Sequence, residues 1–227
     1  MTTTLWILTG VFFTTILLYI IALLKKIPLM GKIASGFMLP NLETVSIILL
    51  LRSLPDSFHI LVITSIALYI ASIAEILFLF TEVKVLRILS RITFLVSQLF
   101  WFDIFKSTFF INRIPSWLSI ITVVFYTLIL AGTLFICGKQ ILSKYISYIL
   151  AMIISFSVNF CTFITLCFER NLHSILQFSG TLASCALIIF YIANHTKFDF
   201  KYKNSILLIL LIVSQGLIST GNILMIR

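Results

Sequence analysis

The chain has 227 residues, is 61% hydrophobic and only 10% charged, and has a mean hydropathy of +1.19. Soluble domains carry about 25% charged residues, so a soluble globular protein is excluded. The net charge of +9 lies in short clusters beside apolar runs, with no basic stripe interleaved with aromatics; that pattern argues against nucleic acid and fits anionic lipid headgroups and topology setting.

Apolar runs of the roughly 20 residues that a bilayer requires recur along the whole chain. Eight spans are predicted, at about 5–24, 36–51, 58–80, 88–111, 117–137, 145–168, 174–194 and 204–226, the second being the shortest. Backbone groups in hydrocarbon must bond internally, and no run shows strand-like alternation. The expected fold class is therefore all-α, a polytopic transmembrane helix bundle. The connections are short, so residues 1–227 are expected to form a single integral membrane domain.

The first run has no basic residue before it and is followed by Lys25-Lys26, which reads as a first span and not as a cleaved signal peptide. LPDS at 54–57 and RIPS at 113–116 are turn signals, and TKFDFKYKN at 196–204 is the longest polar stretch. Eleven basic residues (Lys25, Lys26, Lys32, Lys84, Arg87, Arg91, Lys139, Lys144, Lys197, Lys201, Lys203) lie at the odd-numbered connections. Five (Arg52, Lys106, Arg113, Arg170, Arg227) lie at the even ones and the C-terminus. The bias puts the odd connections in the cytoplasm. Eight crossings then leave both termini outside, and the expected location is a bacterial cytoplasmic membrane.

Cys137, Cys161, Cys167 and Cys185 all fall in apolar runs, and His59, His173 and His195 are scattered. No CxxC or zinc spacing occurs, so the cysteines read as small packing residues and no metal or other cofactor is expected. GxSxG, HExxH, P-loop and dinucleotide fingerprints are missing as well. Trp6 and Trp117, near span starts, read as interfacial anchors.

Three carboxylates fall within the spans, where a charged acid on a lone helix costs roughly 2.5–3.5 kcal/mol and normally faces protein or a wet cavity. Glu43 follows Pro40 in GFMLPNLETVS, a span expected to be kinked or shortened by the proline. Glu75 sits in IALYIASIAEILFLF with no basic residue within helical reach on its own helix, and with Ala71, Ser72 and Ala74 beside it. Small neighbours admit a second helix, so Glu75 is expected to face protein. Asp103, in LFWFDIFKS, stands three residues before Lys106, and the two are expected to pair. Gln98, Asn159, Gln177, Asn194, Gln215 and Asn222 are the candidate interhelical hydrogen-bonding residues.

Six stretches, in order, resemble the lysoplasmalogenase-like (YhhN) family of eight-helix membrane proteins. SGFMLP (35–40) is similar to its TKPLxxP stretch and retains Pro40. SIAEILFLF (72–80) stands at its SxxGDxxL run, and FLVSQLFW (94–101) at its FxxxHxxY. YISYILAM (145–152) keeps a tyrosine and a methionine at Tyr145 and Met152. SGTLASCALIIFYIAN (179–194) stands at a glycine-led span that in the family carries a Ser-Asp pair, and SQGLISTG (214–221) at a closing span with a glutamine, here Gln215. The family's lysine falls on Ser35, its Gly-Asp on Ala74-Glu75, its histidine on Gln98 and its second aspartate near Ile188. Glu75 alone among these keeps an acid.

What the resemblance implies is hydrolysis of the vinyl-ether bond of a lysophospholipid, with membrane lipids as partners and a lysophospholipid as substrate. The catalytic candidates are Glu75 as the proton donor, with Glu43 or Asp103 stabilising the cation or activating water. The replacements at Ser35, Gln98 and Ile188 make a catalytically degenerate member the expectation. The alternative is a non-enzymatic transporter or lipid-binding protein that uses the same polar interior.

Overall fold

Proline at the first position of a helix is pre-organised, because its fixed φ suits the helix and its missing N–H would be unpaired there anyway. Pro28 opens the second helix in this way, eight residues earlier than hydropathy alone suggests. The computed structural model describes residues 2–51, 58–78, 83–111, 115–137, 146–196 and 203–226. Among these residues there are eight helices and no strand. In chain order they are α1 (Thr2–Leu24), α2 (Pro28–Leu51), α3 (Phe58–Phe78), α4 (Lys84–Ile111), α5 (Ser116–Cys137), α6 (Ile146–Glu169), α7 (Leu172–Thr196) and α8 (Lys203–Ile226). The LPDS turn, most of the 196–204 link and Tyr145 lie outside the described residues.

Seven of the eight helices are long and apolar enough to cross a membrane, and the protein is an integral membrane protein of all-α, polytopic class. The exception is α2. Its 24 residues extend about 36 Å at 1.5 Å per residue, enough for a hydrocarbon core of ~30 Å. Its composition is diluted by Lys32, Asn41 and Glu43. Hydrocarbon-facing helices must be apolar all round, whereas α2 buries Ser35, Met38, Leu39, Glu43 and Ser46 against protein. The helix also runs on through Pro40, so the proline does not shorten it.

The chain divides into two compact units, Met1–Phe100 with Asn222–Arg227, and Trp101–Gly221. In the first, α1 lies along α2 and α2 along α3. The turn between α1 and α2 is closed by two bonds, Ile27 N–H to Ala22 O (2.9 Å) and Lys26 N–H to Leu23 O (3.3 Å), with Lys26 in the left-handed region at φ 55°. This is a Schellman cap built on lysine where glycine is usual. α3 presents the stripe Ala67, Ala71, Ala74, all buried. Two serines seven residues apart on α4 reach it: Ser97 donates to Ala67 O (2.9 Å) and Ser90 to Ala74 O (2.8 Å). Asn222 Nδ2 of α8 donates to Thr64 Oγ1 (3.1 Å), and Ile223 packs with Leu49 and Val62.

In the second unit α6 and α7 pair closely and α5 leans on both. α7 and α8 meet at two glycines. A Cβ on Gly180 would stand 2.8 Å from Ile218 N and 2.9 Å from Ser214 O, and one on Gly221 would stand 2.9 Å from His173 O. Only residues without a side chain allow backbones so close.

Hydroxyls on the exposed helices bond their own backbone. Thr14 donates to Gly10 O, Thr44 to Pro40 O, and Thr127 to Val123 O, each at 2.7–2.8 Å. In a medium without water a hydroxyl has few other partners.

Candidate functional site

The two glutamates of the first unit meet in the seam between α2 and α3. Both are buried, each 3% exposed, so Glu75 faces protein as its small neighbours imply. Ser72 Oγ of α3 donates to Glu43 Oε2 of α2 at 2.7 Å. One turn further along the same α3 face, the backbone of Leu39, itself one turn before Glu43, comes up to the Glu75 carboxylate. The antiparallel register thus sets Glu43 opposite Ser72 and Leu39 opposite Glu75. Along the seam the two glutamates are therefore offset by about one helical turn.

Their polar needs are only partly met. Glu43 Oε1 has no hydrogen-bond partner among the described residues, and neither Glu75 oxygen has one of ordinary geometry, the Leu39 backbone being the group that approaches it. Neither glutamate has an ion pair with a described residue. Buried polar atoms are hydrogen-bonded in more than about 90% of cases, so three carboxylate oxygens without a well-formed bond single out this seam as the candidate site.

Asp103 belongs to the second unit. It forms an i, i+3 ion pair with Lys106, and both side chains are more than a third exposed. That is the pairing the spacing implies, and it leaves Asp103 a satisfied group.

The residues picked out by family resemblance point inward where their side chains are described, except Pro40, which is half-buried. Ser35, Gln98, Met152, Ile188 and Gln215 are buried, as is Glu75. Ser35 spends its hydroxyl on Lys32 O (2.9 Å), and Gln215 Oε1 accepts from Trp101 Nε1 (3.1 Å). Three of the six amide residues expected as interhelical links are seen as such: Asn159, Gln215 and Asn222. Gln98 and Gln177 are buried, and the Asn194 side chain lies outside the described residues.

The densest polar network lies in the second unit. Tyr126 of α5 donates its hydroxyl to Asn159 Oδ1 of α6. Asn159 Nδ2 donates to Thr181 Oγ1 of α7 at 2.9 Å, and Thr181 meets Thr162 Oγ1 at 2.7 Å. Rings flank it, with Tyr126 stacked on Phe156 at 5.2 Å and Phe163 tilted against Phe178 at 5.6 Å. Both ends of the Asn159 amide are used. Tyr126, Thr162 and Thr181 escaped the sequence analysis, and Ser72 entered it only as a small neighbour of Glu75, because a hydroxyl in a membrane helix can always bond its own backbone. One signal was present: Ser72 lies three residues before Glu75, on the same helical face.

No protein-family model, curated protein or solved structure matches this chain. The reading of the site therefore rests on the residues themselves.

Proposed function

We propose that the protein is a divergent relative of the lysoplasmalogenase-like family that holds a lysophospholipid in the bilayer and hydrolyses its vinyl-ether bond slowly. The supporting observation is the α2–α3 seam, with two buried glutamates offset by about a turn and three carboxylate oxygens without a well-formed bond. Cleaving a vinyl ether needs one group to deliver a proton to the outer alkene carbon and another to stabilise the cation that results. Water then adds to the carbon bearing the ether oxygen, giving a hemiacetal and returning a proton to the site. The hemiacetal collapses to a fatty aldehyde and a glycerophospho-alcohol. In this scheme Glu75, at the family's acidic position, is the proton donor. Glu43, held by Ser72, stabilises the oxocarbenium ion and orients water. Asp103, already paired, has no part.

Slow turnover follows from the replacements at the other matched positions. Serine, glutamine and isoleucine stand at 35, 98 and 188, where lysine, histidine and aspartate would supply charge and a base. Each lost acid–base group typically removes about 10²–10⁴-fold in rate. The proposed setting is a bacterial cytoplasmic membrane with α2 as an eighth crossing and both termini outside. Reporter fusions at each terminus test that topology, and a cytoplasmic signal from the C-terminus would overturn it.

A transport reading draws on one further detail. Ser72, bonded to Glu43, lies three residues before Glu75 on α3, and chains of carboxyls in membrane carriers relay protons. Aldehyde release from a lysoplasmalogen in detergent separates the two readings. The expected result is slow release by the wild type and none by Glu75→Gln. No release from either protein, with proton uptake into proteoliposomes that Glu75→Gln abolishes, would replace hydrolysis by transport.

A further inference from the structure

A second feature of the first unit lies on a different face of α2 and is independent of the glutamate seam. Between α1 and α2 runs a groove of about 270 Å³ lined by Thr15, Leu18, Ile27, Met30, Ile33 and Phe37, with Leu29 and Ala34 beside them. Thr15 is the one hydroxyl in that lining, and it is spent on Phe12 O at 2.7 Å. The groove therefore offers a ligand apolar contact and almost nothing else. Pockets that enclose a whole small ligand measure roughly 300–1,000 Å³, so this one suits a length of hydrocarbon chain.

The charge at its end says what the chain is attached to. The apolar stretch of α1 stops at Leu24, and Lys25 and Lys26 follow at once, both exposed. Lys32, also exposed, comes one α2 turn after the cap. The Schellman cap fixes this turn tightly, with Lys26 held at φ 55°. Residues 1–42 hold no acid, so Lys25 and Lys26 meet no carboxylate from the hairpin's first 42 residues. Apolar groove and lysines meet at the level where a span ends and headgroups begin.

We infer that the α1–α2 hairpin is a binding site for one anionic diacyl phospholipid, with an acyl chain in the groove and the headgroup phosphate on Lys25 and Lys26, assisted by Lys32. The anionic lipid is preferred over a zwitterionic one of equal chain length, because the apolar contacts are the same and only the charge differs. A lysine near an anionic headgroup favours it roughly fivefold, so the cluster gives a preference of tens of fold.

The test is native mass spectrometry of the full-length protein released from detergent with phosphatidylglycerol, with phosphatidylcholine of the same acyl chains, and with inorganic phosphate. One phosphatidylglycerol is expected to be retained tens of fold more tightly than phosphatidylcholine, and phosphate is expected not to compete. Lys25→Gln/Lys26→Gln/Lys32→Gln should bring phosphatidylglycerol down to the phosphatidylcholine level, while Lys25→Arg/Lys26→Arg/Lys32→Arg keeps the preference. Leu29→Trp, which fills the groove and leaves the charges in place, should weaken retention of both lipids. Equal retention of the two lipids by the wild type would overturn the site. So would a preference that survives the glutamine variant, or competition by free phosphate, which would mark a headgroup-only contact. The arginine and Leu29→Trp variants keep the test decisive if the glutamine variant fails to insert.

Discussion

Both units bury polar side chains between helices, and one polar cluster in each does so in an opposite way. In the second unit the α5–α6–α7 network is neutral: Tyr126, Asn159, Thr181 and Thr162 meet one another, and the Asn159 amide is used at both ends. In the first, the α2–α3 seam contains two carboxyls, and three of their four oxygens lack a well-formed hydrogen bond among the described residues. A satisfied neutral network adds specificity to packing without a large solvation cost. An unsatisfied acid in the same position detracts from stability. The α5–α6–α7 network thus reads as architecture, and the α2–α3 seam is the one to which the proposed function is tied.

The largest effect that would test this division is expected where the second unit is tightest. Gly180→Leu places a side chain where a Cβ alone would be 2.8 Å from Ile218 N. Overpacking of this kind costs about 3 kcal/mol or more when backbone must move. Thermal unfolding in detergent should show a large drop in midpoint, and an unchanged midpoint would mean that α7 and α8 do not approach as described.

Asn159→Leu comes next. It removes the link between α5, α6 and α7, and interhelical hydrogen bonds in membranes are worth roughly 0.6–1.7 kcal/mol. A loss of about 1–2 kcal/mol is expected, with lysolipid binding unaltered. Loss of binding with stability intact would reverse the division between the units.

Lys26→Gly should act in the opposite direction. A lysine at φ 55° bears a left-handed penalty of about 1–2 kcal/mol, which glycine avoids at the expense of greater freedom in the unfolded chain. A net gain of about 0.5–1 kcal/mol is the expected outcome of equilibrium unfolding.

The smallest stability change is expected at the residue proposed to matter most for chemistry. Glu75→Gln replaces a buried acid without a well-formed hydrogen bond by its neutral isostere, and removing an uncompensated buried acid is neutral or stabilising. Unfolding should shift by about 0.5 kcal/mol or less, while any aldehyde release disappears. A loss of several kcal/mol would show that the Glu75 carboxylate has a structural partner.

The glutamate seam was half legible in the sequence. Glu75 stood out because it lacked a basic residue on its own helix, and its alanine and serine neighbours implied a facing helix. That the facing helix is α2, and that Glu43 stands a turn away, depends on the register between two antiparallel helices, which no local pattern encodes. Asp103 and Lys106 were fully legible, because an i, i+3 pair is settled within one helix. Asn159, Gln215 and Asn222 were legible as polar residues in need of partners, but Tyr126, Trp101 and Thr64 as those partners were not.

Hydrophobic run length by itself determined the all-α class, the eight helices among the described residues and nearly all of their limits, because a bilayer leaves the backbone few choices but to bond within each segment. It misplaced the start of α2, where Pro28 and the lysine-bearing first turns are helical although they are not apolar. The tertiary structure alone decided which helices meet and in what register. Close approach at Gly180 and along the Ala67–Ala74 stripe depends on what the opposite helix presents. Hydrocarbon attracts each helix almost equally on every side, so the choice of partner is left to shape and hydrogen bonds between segments far apart in the chain.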